Sequence, residues 1–185
     1  MVYMKQNIRK LSTIAIFSSI IIVLQIIATF IKIGSFPITL TLIPIIIGGA
    51  IYGPLTGLLL GLVFGTIVDV MVITGLDAGG TTMMAIHPFI TIVACLIKGG
   101  LCGLLGSLAY KYIPNNKTGI IVDSIVTPII NTATLYISLI LFFDSSLSAM
   151  LAAFMSINFI IELAINILVA PGLTSLIKRQ KERIK

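Results

Sequence analysis

Leu42-Ile-Pro-Ile-Ile-Ile-Gly-Gly-Ala-Ile-Tyr52-Gly-Pro-Leu-Thr-Gly-Leu-Leu-Leu-Gly61-Leu-Val-Phe-Gly-Thr-Ile-Val-Asp69 is the stretch on which the fold reading turns. Its first charge is the aspartate at its very end. Gly53-Pro54 breaks the run in two, because glycine frees the backbone and proline cannot continue a helix. The reading is a short apolar helix over about Leu42–Tyr52, with Pro44 in its first turn, and a second helix over about Leu55–Thr74. Gly53, Gly57, Gly61 and Gly65 recur every fourth residue and line one face of the second helix. Such a smooth face permits close helix approach, and internal packing accounts for it more simply than a partner surface. Gly99 and Gly103 repeat the spacing further on.

The remainder is equally apolar. Of 185 residues, 58% are hydrophobic and 10% charged, with a mean hydropathy of +1.18. A soluble domain carries about a quarter charged residues, so this chain has too little polar surface for a water-soluble globule. A bilayer removes that demand and asks for about 20 apolar residues per spanning helix. Further spans are read at about Leu11–Ile33, Pro88–Tyr112, Gly119–Phe143 and Ala149–Ile177. The expected fold is all-α: one membrane domain over residues 1–185, a bundle of about six transmembrane helices with a short second span. Ser35–Thr41 alternates apolar and hydroxyl residues, as a strand-like connection does. Gly75–Ile86 reads as a glycine-rich polar loop that must avoid lipid.

Charge orients the set. Lys5, Arg9, Lys10, Lys111, Lys117, Lys178, Arg179, Lys181, Arg183 and Lys185 fall on one side, and only Lys32 on the other. By the positive-inside rule both termini are expected in the cytoplasm. The N-terminal apolar stretch is too long for a cleavable signal peptide. The net charge of +6 comes without an aromatic-interleaved basic patch, which argues against nucleic acid as a partner. Cys95 and Cys102 lie in one apolar segment and read as small hydrophobes.

Polar residues within the spans fall on shared helix faces. Asn158, Glu162 and Asn166 are four apart. Asp123, Thr127, Asn131, Thr134 and Ser138 recur every third or fourth residue, as do His87, Thr91, Cys95 and Lys98. Thr66 and Asp69 add a pair. Ionisable groups at membrane depth face the bundle interior or a cavity. Two readings of the stripes stand side by side: helix–helix hydrogen bonding and a ligand site. Lys98 with Glu162 is either a structural pair or part of that site, and His87 is either a satisfied cap or a ligand contact. Asp123, near the inner end of its span, reads as an interfacial or N-terminal helix charge. The expected site holds Asp69, Thr81, His87, Lys98, Asn131, Asn158 and Glu162, opens outward and suits a small amphiphilic molecule. Rings of charge that would mark an ion channel are not seen.

The sequence contains no phosphate loop, no metal-ligand cluster and no nucleophile elbow. Neither a cofactor nor a catalytic residue is expected, and ATP-driven work would need a separate ATPase chain. A stand-alone secondary transporter using Asp69, Lys98 and Glu162 as a proton relay is the alternative, although no inverted repeat of broken helices supports it.

The stretch Thr39–Gly61, together with Pro128-Ile-Ile-Asn131-Thr132 and the six-span layout, resembles the substrate-binding S components of energy-coupling factor vitamin transporters. The resemblance covers nearly the whole chain. It implies high-affinity capture of a vitamin from outside, in the bacterial plasma membrane. It also implies docking on a transmembrane coupling subunit that carries two cytoplasmic ATPases. Family members meet that subunit through Ala-x3-Ala in the first span; here the motif reads Ala15-x3-Ser19, and serine keeps the position small. The family's ligands include riboflavin, pantothenate, folate, thiamine and biotin. The central stretch is similar to the riboflavin/pantothenate branch. With no Trp in the chain, a flavin ring would rest on Tyr or Phe, while Lys98 would suit the carboxylate of pantothenate.

Overall fold

The structure is a computed structural model that describes residues 2–33, 36–37 and 39–183. Helix α1, Val2–Ala28, leads into the two-residue strands β1, Lys32–Ile33, and β2, Phe36–Pro37, which pair antiparallel. Then follow α2 (Leu42–Tyr52), α3 (Pro54–Ile73), α4 (Ala78–Ile86), α5 (Pro88–Tyr112), α6 (Asn116–Phe142) and α7 (Ser145–Arg183). Among the described residues only Phe36–Pro37 of the expected strand-like connection is strand. It pairs with Lys32–Ile33, which the sequence reading places at the end of the first span, where the helix instead stops at Ala28. Ser35 and Ile38 of that connection, and the terminal Lys185, lie outside the described residues.

Five helices, α1, α3, α5, α6 and α7, are long and apolar enough to cross a bilayer. The 11-residue α2 rises roughly 16 Å, about half the hydrocarbon thickness. The surface is inside-out relative to a soluble protein. Leu11, Phe30, Phe89, Ile140, Ile160 and Leu168 are exposed, whereas Gln25, Asp69, Lys98, Asp123, Asn158 and Glu162 are buried. This is the arrangement of a protein solvated by lipid. Asp123, expected as an interfacial charge, is instead enclosed by its neighbours: its Oδ1 accepts from the Thr127 hydroxyl at 2.8 Å.

Breaks fall where backbone chemistry demands. Gly53 ends α2 at φ 98°, and Pro54 starts α3 in a first-turn position where its missing N–H costs nothing. Gly75, at φ 77°, closes α3: the Gly75 N–H bonds the Val72 carbonyl at 3.2 Å and the Leu76 N–H bonds that of Met71 at 2.9 Å. This is a Schellman cap, which glycine enters without strain.

The expected loop over Gly75–Ile86 is corrected by α4. Asp77 caps its first turn, its Oδ1 accepting from the Gly80 N–H at 3.1 Å. The Thr82 hydroxyl bonds back to the Ala78 carbonyl at 2.9 Å. Polar and glycine-rich composition mimicked a loop, but this segment packs on α3 and α5, and packing overrides weak propensity.

The most extensive interface joins α3 to α5. Gly57 faces Gly103, Gly61 faces Gly99, and Gly65 meets Cys95. A Cβ on Gly61 would run into the Gly99 carbonyl, and one on Gly99 into the Gly61 carbonyl. The glycine stripe is therefore internal packing. Gly53, the first of the series, has nothing among the described residues within 4 Å of where a Cβ would stand and serves the turn instead.

Candidate ligand-binding cavity

The polar stripes of α5, α6 and α7 converge on one cavity. Lys98 comes from α5, Asn131 and Thr132 from α6, and Asn158 and Glu162 from α7. Gln25 of α1, Thr39 beyond β2, and Asp77 at the start of α4 complete the polar lining. Phe64, Val68, Leu135, Met155 and Phe159 supply the apolar wall. Few polar groups within an apolar shell is the composition of a small-molecule site. The cavity volume is about 40 Å³, room for a few waters. A ligand of vitamin size needs roughly 300 Å³ or more, so the walls must part to admit one.

Glu162 ties the cavity to the loop above it: its Oε1 accepts from the Thr39 N–H at 2.9 Å. One turn on, the Asn166 amide donates to the Glu162 carbonyl at 2.7 Å. The Thr41 hydroxyl donates to the Gln25 side-chain oxygen at 3.1 Å. The hairpin's exit is thereby anchored to α1 and α7 by hydrogen bonds at its first described residues.

Lys98 is 8% exposed, with its ammonium nitrogen 5.6 Å from the centre of the Phe64 ring. Among the described residues no carboxylate lies within ion-pair distance of it. Glu162 and Asp69 are close enough for their charges to interact with it. The Asn131 side-chain oxygen is buried and has no hydrogen-bond partner among the described residues. A buried ammonium and a buried amide oxygen, both facing a cavity, are costly unless something polar completes them.

Four of the seven expected site residues, Lys98, Asn131, Asn158 and Glu162, therefore line the cavity. The other three do not. Asp69 is buried on α3 against Cys95, a turn away from Lys98 on α5. Thr81 spends its hydroxyl on the carbonyls of Asp77 at 2.7 Å and Val72 at 2.9 Å, bracing α4 on α3. His87 is exposed between α4 and α5, where its ring meets Phe143 edge-on at 5.4 Å. The residues not anticipated include Gln25, Thr39, Asp77, Phe64 and Phe159. Gln25 had a signal, as the one polar residue between Ile20 and Ala28. Phe64 and Phe159 had none, since an aromatic residue in a span reads equally as lipid-facing. Ala15 and Ser19 both lie on the exposed side of α1, the Ser19 hydroxyl bonding back to the Ala15 carbonyl at 3.0 Å.

Fold and cavity together define a multi-pass α-helical membrane protein with an internal polar pocket. The family described as ECF transporter, substrate-specific component, matches residues 9–174. The chain belongs to that family: it is a transport subunit of the cell membrane that works with a substrate and partner subunits. Comparison with curated proteins finds no match.

Proposed function

We propose that this chain is the high-affinity substrate-binding subunit of an ATP-driven importer, and that its substrate is a vitamin-sized molecule bearing a carboxylate. Pantothenate is the first ligand to test. The supporting observation is Lys98, a buried ammonium without an ion-pair partner among the described residues, facing the same cavity as the unpartnered oxygen of Asn131. A carboxylate on Lys98 neutralises the buried charge, and a ligand hydroxyl or amide N–H donates to Asn131. Asn158 and Glu162, a turn apart on α7, complete the ligand's polar edge. Riboflavin is the second reading, favoured by Phe64 and Phe159 in the cavity wall, against which a flat ring packs.

In this reading the termini are cytoplasmic and the cavity opens outward. Ala15 and Ser19 meet a transmembrane coupling subunit, and two separate cytoplasmic ATPases supply the energy. Asp69 and Thr81 brace the helices behind the pocket, and neither they nor the exposed His87 touch the ligand.

The test is ligand recovery. Full-length protein purified in mild detergent should retain a small molecule identifiable by mass spectrometry. After that molecule is washed out, thermal unfolding should shift upward with one member of a vitamin panel. No retained molecule and no shift across the panel would overturn the reading.

A further inference from the structure

A second concave site lies far from the cavity, between the start of α6 and the end of α7. It has a volume of about 350 Å³. Lys117, Lys178 and Arg179 stand around it, and Ile120, Ile121 and Pro171 form an apolar wall. Among the described residues no carboxylate lines it. The hydroxyls of Thr174 and Ser175 on its floor are already committed, donating to the Ala170 carbonyl at 2.7 Å and the Gly172 carbonyl at 2.8 Å. The three bases, with the Asn116 side-chain amide, are thus the donors left to a bound group.

The Lys178 ammonium is held in place. It sits 4.4 Å from the centre of the Tyr110 ring and bonds the Tyr110 hydroxyl, which in turn donates to the Asn116 side-chain oxygen at 2.8 Å. Lys178 is half-buried, while Lys117 and Arg179 are exposed and free to close on an anion. The first turn of α6 adds the positive end of a helix dipole beside Lys117.

We propose that this groove is a binding site for an anionic phospholipid, its phosphate held by Lys117, Lys178 and Arg179 and an acyl chain lying along Ile120, Ile121 and Pro171. The two-part lining selects that occupant. A free phosphate would satisfy the bases and leave the apolar wall bare, and a zwitterionic lipid would bring a cation to three cations. Basic pockets between transmembrane helices at the headgroup layer recognise acidic lipids on these terms. The site also sits at the end of the bundle where the chain's basic residues gather.

The experiment uses full-length protein in mixed micelles holding phosphatidylglycerol and phosphatidylcholine with identical acyl chains, read by native mass spectrometry. Phosphatidylglycerol should be retained in preference. Arg179→Gln should lower that retention on the order of fivefold, the effect of one base near a charged headgroup, and Lys117→Gln with Arg179→Gln should abolish the preference. Lys111→Gln, an exposed base outside the groove, should leave it intact. Equal retention of the two lipids overturns the proposal. So does an equal loss with Lys111→Gln, which would mean diffuse surface charge, or displacement of the lipid by millimolar inorganic phosphate, which would mean a simple anion site. If Arg179→Gln does not fold, the lipid and phosphate competitions on the unaltered protein still decide.

Discussion

Replacing Lys98 by methionine separates binding from stability. The substitution removes the ammonium and keeps an unbranched apolar stem of similar length. In the ligand-free protein Lys98 is 8% exposed, so its charge has little access to water, and desolvating it costs several kcal/mol. What it gains is the ring of Phe64 at 5.6 Å, worth about 2 kcal/mol in a desolvated setting, and interactions with Glu162 and Asp69 beyond ion-pair distance. Lys98→Met is therefore expected to leave the ligand-free protein as stable as before, or more so. Binding should respond oppositely. Losing one partner of a buried charge pair costs about 2–5 kcal/mol, so affinity for a carboxylate ligand should fall at least about 30-fold. A neutral ring ligand should lose far less. Isothermal titration of pantothenate into protein in detergent, beside thermal unfolding without ligand, reads both quantities. A marked drop in ligand-free stability together with unchanged pantothenate affinity would refute the assignment and make Lys98 a structural residue.

Asp77→Ala removes the cap of α4, whose Gly80 N–H donates to it; a stability loss of about 0.5–2 kcal/mol is expected by thermal unfolding, with weaker ligand binding because Asp77 also lines the cavity. Gly61→Ala should destabilise by about 1–3 kcal/mol, because the new methyl meets the Gly99 carbonyl. Gly172→Ala, on the same assay, should be neutral or stabilising by up to about 1 kcal/mol, since its Cβ meets nothing within 4 Å among the described residues. Ser19→Trp should leave ligand affinity unchanged and abolish uptake in vesicles holding the coupling subunit and ATPases; unimpaired uptake would remove α1's Ala15–Ser19 face from the docking surface.

The membrane class, the helical breaks and the polar stripes are legible in the amino-acid sequence by itself. Hydropathy decides whether a chain lives in lipid, and the helical period decides which side chains share a face. The bounds of Leu42–Tyr52 and Pro88–Tyr112 agree between sequence and structure because Gly53, Pro54 and Pro88 act locally on the backbone. Asn158 and Glu162 point the same way because four residues make about one turn. What one helix's pattern does not contain is its rotation and height against its neighbours. That decided that Lys98 reaches the cavity while Asp69, a turn away on the facing helix, stops at Cys95. It also decided that Thr81 is spent on bracing α4. Phe64 and Phe159 became cavity wall only through tertiary packing, because an apolar side chain is equally at home against lipid. In water, hydrophobicity would have marked those residues as interior; in a bilayer it says only that a residue is in the membrane, and the packing of the helices, such as the close glycine contacts of α3 on α5 that fix the rotation of Phe64, sets which of them face inward.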